Sequence, residues 1–380
     1  FHTEYQEEGW PSKGYEVQIH NTNINPEGYV ERKLTGSLYA VRNIFKQMVP
    51  DEEWFTMHII VMGNQIITKL NDQVIVDYVE PENPVRRDNS QGRVLSSGTF
   101  ALQCHDPEST VELKNIMVKP LPDDLPEDPS NFPVVDETYR TIYDMSVSNF
   151  PIIDYHIHTK AGLSLDEALT KSRRTGIMYG IAPNVGLDFP IQSDEQVYEW
   201  AESMKGKPVF LGMQAEGREW MELISQDAIA QFDYVFSDAL TWTDDKGRRT
   251  RLWMPDEVHI DNTEQWMDMY LDRILSVINE EPIDMFVNPT FLPVEIRDLY
   301  DSLWTEERIQ KFVTALAENN VALEINDRYQ IPKLKVLQAA KDAGCTFSFG
   351  TNNGDANYGN LDYALEMARE LDLSPEDMFM

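Results

Sequence analysis

The 380-residue chain carries 65 acidic and 32 basic residues, which gives a formal net charge of −33 at pH 7. Such an excess of negative charge argues against nucleic acid and anionic membrane surfaces as partners. The hydrophobic share of 42% is enough for packed cores, no apolar run is long enough to span a membrane, and the length favours two domains.

The sequence begins at Phe1, and we interpret this as a processed or incomplete amino terminus. Its two cysteines, Cys104 and Cys345, lie far apart and fall in the two predicted halves of the chain. They imply no disulfide framework, so cysteine usage leaves the cellular compartment open.

Short segments of alternating apolar and polar residues fill the first 119 residues, and none has the periodicity of a long helix. Asn71 and Asp72 separate two of these segments, as in a two-residue β-hairpin. Several short strands at this spacing predict an antiparallel β-sandwich. The predicted strands cover residues 15–20, 55–61, 65–70, 73–79, 98–105 and 110–118.

Five segments of this region share a pattern with a known family: Gly14–Ile19, Thr35–Tyr39, Trp54, Leu70–Asn71 and Gly98–His105. They resemble the 3-keto-disaccharide hydrolase family, whose fold is a concanavalin-like jelly roll. Members of that family carry further strands before the segment that matches Gly14–Ile19. We therefore expect a jelly roll that is incomplete at its amino terminus.

The resemblance implies that the concave sheet of this domain recognises a sugar. Carboxylate, amide and aromatic side chains suit sugar hydroxyl groups, although ordinary polar strand residues remain an alternative interpretation. The residues that we place on this face are Glu16, Gln18, Tyr39, Gln103 and His105.

Residues 120–138 are rich in proline and acidic residues. This composition is typical of a semi-rigid, largely extended linker. The sequence therefore predicts a sandwich domain over residues 1–119, a linker over 120–138 and a second domain over 139–380.

A histidine pair marks the start of the second domain. The apolar run at 150–153 predicts a buried strand, and Asp154–Lys160 follows it directly. Because side chains alternate along a strand, His156 and His158 point to the same side and form a platform for a metal such as zinc. Two histidines that merely pack at a strand end remain the alternative.

Apolar runs alternate with helical patterns through the rest of the chain. Seven such strand–helix units predict a parallel (βα)7 barrel or a strongly curved sheet. The further predicted strands are 179–182, 208–213, 234–237, 283–287, 321–325 and 346–350, and the clearest helices are 194–204, 263–279, 305–319 and 332–343.

Polar side chains follow each of the seven predicted strands. Because the carboxyl ends of parallel strands meet at one rim, we expect these side chains to converge on a functional site. In chain order they are His156, His158 and Lys160; Asn184; Glu216 and Arg218; Asp238 and Trp242; Asn288; Asn326, Asp327 and Arg328, with Glu324 inside its strand; and Thr351, Asn352 and Asn353.

Four segments of the second domain, Asp154–His158, Gly212–Glu216, Leu323–Asn326 and Phe349–Thr351, resemble the PHP (polymerase and histidinol phosphatase) family of metal-dependent (βα)7 barrels. Typical members place Asp-His, His-Pro and Asp-x-His where this chain has Pro183–Asn184, Asn288–Pro289 and 352–354. The usual trinuclear cluster is therefore incomplete. The asparagine-rich replacements resemble an atypical subgroup that occurs beside sugar-processing domains.

The resemblance implies a remodelled site with one divalent metal, zinc or manganese, rather than three. His156, His158 and Glu216 are the expected ligands, with Asp238 as a fourth. The groups expected to bind substrate are Asn184, Asn288, Asn326, Asn352 and Asn353 for sugar hydroxyls, Arg218, Arg328 and Lys160 for an oxyanion, and Trp242 for stacking. The arginine-rich segment 244–261 is expected to be a lid or a subunit contact.

The leading hypothesis is a metal-dependent enzyme that hydrolyses or eliminates the glycosidic bond of 3-keto-glycosides or related sugars. Glu324, Asp238 and Lys160 are the candidate bases. The alternatives are a metal-dependent phosphoesterase and a sugar-binding protein with a non-catalytic barrel. We expect a carbohydrate substrate, no membrane insertion, a possible homo-oligomer and, from the sugar theme, a periplasmic or secreted location.

Overall fold

The computed structural model describes residues 1–23, 28–104, 106–107, 109–122, 132–160, 162–243, 247–354 and 358–380. The chain divides into two compact units, residues 1–149 with 173–176 and residues 150–172 with 177–380. Residues 123–131 of the expected linker lie outside the described ranges, and the sequence-based division remains a prediction. Residues 139–149, which it assigned to the barrel, group with the first unit.

The first unit contains an antiparallel sheet of three strands, β1 (Met57–Met62), β2 (Gln65–Leu70) and β3 (Gln73–Val79), in that order. Asn71 and Asp72 link β2 to β3 with left-handed φ angles of 46° and 67°, as a tight hairpin of this kind requires, so the predicted hairpin is confirmed. Helix α1 (Glu137–Val147) also belongs to this unit.

Three of the predicted strands of the first unit do not form as regular strands. Segment 15–20 makes one bridge, Val17 with Leu38, and the described part of 98–105 makes one bridge, Thr3 with Thr99. Segment 110–118 forms no strand, and its apolar side chains are largely exposed. A strand needs a neighbour for its backbone groups, and alternation along one segment does not supply that neighbour.

The second unit is a closed barrel of seven parallel strands. Its strands are β4 (Ile153–Ile157), β5 (Met178–Ile181), β7 (Phe210–Ala215), β8 (Tyr234–Ser237), β11 (Met285–Phe286), β12 (Ala322–Asn326) and β13 (Phe347–Gly350). Strand β4 pairs with β5 and with β13, and the pairing runs on through β7, β8, β11 and β12 to close the ring. The short β6 (Asn184–Val185) extends the ladder of β7. The predicted (βα)7 barrel is confirmed.

Helices connect the barrel strands, and a short hairpin of β9 (Thr241–Thr243) and β10 (Arg249–Arg251) follows β8. Side chains at the helix starts accept backbone hydrogen bonds, as Asn262 does for α6 and Thr305 for α8. The helices are α2 (Leu165–Thr175), α3 (Asp194–Met204), α4 (Trp220–Leu223), α5 (Gln226–Ile229), α6 (Thr263–Glu280), α7 (Tyr300–Leu303), α8 (Glu306–Asn319), α9 (Leu334–Asp342) and α10 (Asp362–Glu370). Of the helices described, none is both long and apolar enough to cross a bilayer.

Tyr234 fills the interior of the barrel. A Cβ atom added at Gly180 or at Gly212 would lie 1.9 or 2.4 Å from the Tyr234 hydroxyl oxygen, so glycine at both positions makes room for the ring. The Tyr234 hydroxyl donates to the backbone carbonyl of Tyr155, which satisfies its polar group in the core. The interior is therefore packed, and the polar groups lie toward the carboxyl rim.

Asp327 ties the end of β12 to the start of α10, because its carboxylate accepts from the backbone N–H groups of Tyr363 (3.2 Å) and Ala364 (3.0 Å). Burial raises the pKa of Asp327 to about 7, whereas an unfolded aspartate titrates near 4. The folded state therefore holds a proton that the unfolded state releases, and the free energy of unfolding falls as the pH rises through this window.

We expect Asp327→Asn to remove this decrease in the free energy of unfolding with rising pH, which has a slope of up to about 1.4 kcal/mol per pH unit. Urea unfolding of the full chain at pH 5 to 8 measures it. Asp342→Asn, on the exposed surface of α9, is the matched control. Parallel pH profiles for Asp327→Asn and the parent protein would contradict the assignment.

Candidate active site at the carboxyl rim of the barrel

Two histidines lie at the carboxyl end of β4. His156 is within the strand and His158 follows its last residue, and both are almost completely buried. Their rings are neighbours, with centroids 5.1 Å apart and planes at 80°. The alternation of the strand thus brings both imidazoles to the same rim, as predicted from the spacing.

The hydrogen bond of His156 assigns its tautomer. Its Nδ1 lies 2.6 Å from Oε1 of Glu324 in β12, and a carboxylate oxygen accepts. In the neutral imidazole Nδ1 therefore carries the hydrogen, and Nε2 is left with a free lone pair. Within the described ranges this buried Nε2 has no hydrogen-bond partner.

His158 repeats the arrangement with a backbone acceptor. Its Nδ1 donates to the carbonyl oxygen of Ala182 at 2.6 Å, and its buried Nε2 also lacks a partner among the described residues. Burial, and then the neighbouring His156 and Lys160, hold the pKa of His158 well below its usual range. The ring is therefore neutral, with an available nitrogen lone pair.

Two carboxylates, Glu216 after β7 and Asp238 after β8, lie at the same rim. Burial, and then the charge of Asp238, raise the pKa of Glu216 to about 8, and burial raises the pKa of Asp238. Asn184 Nδ2 donates to Glu216 Oε1 at 2.7 Å, and Asn288 Nδ2 donates to Asp238 Oδ2 at 2.8 Å. Glu216 is buried, Asp238 is half-buried, and their negative charges repel, so a bound proton or a cation would relieve the repulsion.

Glu324 is held by three donors. Besides His156, its Oε2 accepts from the backbone N–H of Asn288 at 2.6 Å and from Asn326 Nδ2 at 2.9 Å. A Cβ atom at Gly350 would lie 2.0 Å from Glu324 Oε1, so this glycine admits the carboxylate. These contacts favour an orienting role for Glu324 over its predicted role as a base.

Asparagine amides link the strand ends to one another. Asn288 Oδ1 accepts from Asn326 Nδ2 at 3.2 Å and from Asn352 Nδ2 at 2.7 Å. Asn353 instead clamps the chain beside the histidines, since it exchanges two hydrogen bonds with the backbone of His158. Asn288, Asn326 and Asn352 thus share one network, Asn184 is bonded separately to Glu216, and the amide of Asn353 is committed to the backbone.

Sequence reasoning missed Asp154, which lies two residues before His156 on the same strand. Its buried carboxylate accepts from the backbone N–H groups of His156 (3.1 Å) and Thr351 (3.0 Å) and from the Thr351 hydroxyl. Alternation along the strand places residue 154 on the same face as residues 156 and 158, so the sequence could have predicted that Asp154 lies beside the histidines.

The donor chemistry of the histidine pair fits a divalent metal. A ligating histidine commonly donates its other N–H to a carboxylate or a carbonyl, as His156 and His158 do, while the coordinating nitrogen has no hydrogen-bond partner. However, no set of three or more His, Cys, Asp or Glu side chains in the described part of the chain is gathered closely enough to hold an ion. The two histidines therefore offer two nitrogen donors, and the carboxylates of Glu216 and Asp238 do not lie close enough to complete a set of ligands with them.

Arg218 and Trp242 do not have the surroundings expected of substrate-binding groups. The Arg218 guanidinium contacts the Ser276 hydroxyl and lies 2.6 Å from Glu280 Oε2 at the end of α6. The Arg273 guanidinium covers the ring of Trp242 at 5.0 Å. Arg218 therefore pairs with a carboxylate at the end of α6 rather than with groups at the rim.

The sugar-binding residues predicted in the first unit are only partly brought together. Arg93 lies 3.6 Å from Glu16 and over the ring of Tyr39 at 5.5 Å, so these two side chains share a neighbour. Gln18 is half-buried and Gln103 is exposed outside any strand. His105 lies outside the described residues.

Residues 1–119 match the family model of a 3-keto-alpha-glucoside-1,2-lyase-like domain, which confirms the resemblance predicted for this region. A similar solved structure is histidinol phosphate phosphatase from Lactococcus lactis subsp. lactis, complexed with zinc, L-histidinol and phosphate. The two sequences are 19% identical, the match covers 58% of this chain and 92% of that chain, and the TM-score is 0.42. No curated protein matches the chain.

Replacement of Glu324 by glutamine tests its orienting role. The amide NH₂ group of glutamine would then face one of the three donors that the carboxylate accepts from. We expect the free energy of unfolding to fall by roughly 2–3 kcal/mol, and the His156 ring to become a mixture of the Nδ1–H and Nε2–H tautomers. Chemical unfolding and the ¹⁵N shifts of the His156 ring report the two effects. Glu366→Gln, an exposed change on α10, is the control, and a preserved Nδ1–H tautomer in Glu324→Gln would contradict the assignment.

Proposed function

We propose that the barrel is a metal-dependent carbohydrate enzyme that cleaves 3-keto-glycosides or related sugars. The observation that carries the proposal is the pair of buried, unpartnered Nε2 atoms of His156 and His158 beside a network of side-chain amides. The match of residues 1–119 to a 3-keto-alpha-glucoside-1,2-lyase-like domain supports the substrate class.

The metal would be held by His156, His158 and Glu216, with Asp238 as the possible fourth ligand. Zinc and manganese both accept imidazole nitrogen and carboxylate oxygen. When bound, such an ion supplies Lewis acidity toward a ketone and its neighbouring hydroxyl. Coordination requires deprotonated ligands, so loading should displace the proton that Glu216 retains near neutral pH.

The chain's own groups would then move one proton. A 3-keto group acidifies the hydrogen on C2. A base that removes this proton allows the C1–O bond to break, and the same group then gives the proton to the leaving oxygen, so that the aglycone departs as an alcohol. Addition of water to the unsaturated ketone completes a net hydrolysis. Asp238 is the base that we favour, because its half-buried carboxylate accepts only from Leu240 N–H and Asn288 Nδ2 among the described residues and retains acceptor capacity.

Lys160 is the alternative base, since burial of its amine and the charge of Arg328 lower its pKa. Asn184, Asn288 and Asn352 would orient the sugar hydroxyls through amide groups that both donate and accept, whereas the buried Asn326 would hold the network behind them. Glu324 and Asp154 would act as positioning residues behind the histidines.

A second candidate function is a metal-dependent phosphoesterase, which is favoured by the two cationic side chains Lys160 and Arg328 near His158. That chemistry commonly uses two or three metal ions to hold the attacking and leaving oxygens. A sugar-binding protein with a non-catalytic barrel is the third candidate, and it requires no metal.

Metal stoichiometry separates the three candidates. We expect about one zinc or manganese per chain in the native protein and almost none in the double variant His156→Ala/His158→Ala, because both nitrogen donors are removed. Elemental analysis measures it, with His259→Ala on the exposed surface as the control. Two or three ions would favour the phosphoesterase, and no ion in the native protein would sink the metalloenzyme.

Asp238→Asn separates the roles of base and ligand. If Asp238 is the base, metal content stays near that of the native protein while cleavage of a 3-keto-glycoside falls by about 100-fold or more. Elemental analysis and a product assay on the same sample measure both quantities. Loss of the metal would make Asp238 a ligand, and unchanged cleavage would move the role of base to Lys160, for which Lys160→Met is the matched variant.

A further inference from the structure

Three cations converge on the carboxyl rim of this strongly acidic protein. Lys160 follows β4, Arg328 follows β12, and Arg249 begins β10 in the hairpin after β8. All three residues are exposed, although the Lys160 amine is shielded enough for burial to lower its pKa. Their charges act on the same groups, because Lys160 and Arg328 both influence His158, and Lys160 and Arg249 both influence Glu216.

Arg328 is fixed beside the histidine pair by its backbone contacts. Its Nη1 donates to the carbonyl oxygen of Asn352 at 3.0 Å, and the N–H of the same Asn352 donates to the carbonyl oxygen of His156 at 2.9 Å. A Cβ atom at Gly354 would lie 2.4 Å from the guanidinium, so glycine at this position leaves it room. The guanidinium is thus held one residue away from His156, and its hydrogen bond to the Asn352 carbonyl uses only Nη1.

Arg249 reaches the rim from the hairpin. Its strand pairs with β9, and its guanidinium lies over the ring of Phe189 at 5.6 Å and 3.8 Å from Asp188, in the loop after β6. Because Asp188 is highly exposed and the separation is long, this ion pair is weak. The arginine is oriented by Phe189 and remains able to bind another anion.

Within the described residues, Lys160 and Arg328 lack the tight carboxylate partners that other cations of the same unit have. Arg251 forms a two-oxygen contact with Glu257, and Arg308 is held by Glu264 and Asp268. By contrast, the described ranges contain no carboxylate within 4.0 Å of Lys160 or Arg328. Acidic residues outnumber basic residues by 65 to 32 in this chain, so composition alone would give most cations a carboxylate neighbour.

We propose that Arg249 and Arg328, joined by Lys160 when Asp238 is the base, bind a non-reacting anionic group of the substrate, a carboxylate or a phosphate carried by the sugar. This inference rests on the proposed function and narrows it to acidic sugars. Arginine offers a planar fork that matches the oxygens of either anion, and lysine adds a point charge. The anion would be seated at the rim, which leaves the reacting carbons of the sugar over the histidine pair.

Binding of simple sugars to the full metal-loaded chain tests the inference without any need for turnover. The probes are glucuronate, glucose 6-phosphate and uncharged glucose, measured by calorimetry. We expect at least one anionic probe to bind more tightly than glucose, and its affinity to fall with added salt. Arg328→Gln and Arg249→Gln should each weaken that affinity about fivefold to tenfold, whereas glucose binding should not change.

Lys205→Gln is the matched control, because it removes one exposed positive charge before β7, at the opposite end of the barrel. Preference for glucuronate would identify a carboxylate, and preference for glucose 6-phosphate would identify a phosphate. Equal affinity for all three sugars, or an equal loss in Lys205→Gln and Arg328→Gln, would overturn the inference.

The proposed function and this inference fail in different ways. If the native protein cleaves a neutral 3-keto-glycoside, and anionic probes show no preference over glucose, the function stands and the anion site is wrong. If anionic probes bind through Arg328 but the metal-loaded protein cleaves no 3-keto-glycoside, neutral or acidic, the anion site stands and the proposed function is wrong.

Discussion

The hydrogen bond between His156 Nδ1 and Glu324 Oε1 is the constraint on which the rest of the site depends. It joins β4 to β12 across the intervening β13, and it leaves the Nε2 lone pair of His156 without a partner among the described residues. The same carboxylate accepts hydrogen bonds from the Asn288 backbone N–H and the Asn326 amide, so one buried group holds the ends of β4, β11 and β12. A buried carboxylate is stable only when such donors surround it, which makes the histidine and the asparagines interdependent.

The asparagine network extends this organisation to the rim. Asn288 and Asn352 adopt left-handed φ angles of 48° and 44°, a conformation that asparagine tolerates better than most residues. Their backbones therefore turn sharply at the strand ends while their amides meet. Amides carry no net charge, so the network brings polarity to the rim without adding to the repulsion between Glu216 and Asp238.

The sequence was sufficient to predict the barrel because its strands are buried on both faces and appear as separate apolar runs between helical patterns. It also placed His156 and His158 together, because that relation is local to one strand. The role of Glu324 and the diversion of Arg218 to α6 depend on partners 168 and 62 residues away in the chain. Segment 110–118 is predicted to be a strand and forms none, because alternation of apolar and polar residues does not show which strand it would pair with.

The tyrosine that fills the barrel also bears on the route by which molecules reach the histidine pair. With Tyr234 packed against Gly180 and Gly212, its side chain occupies the middle of the barrel between the described strands. If the proposed cleavage takes place at the carboxyl rim, the substrate and both products would exchange through that rim. The fragment nearer solvent would then depart first, so the orientation of the substrate relative to the histidine pair would set the order of release.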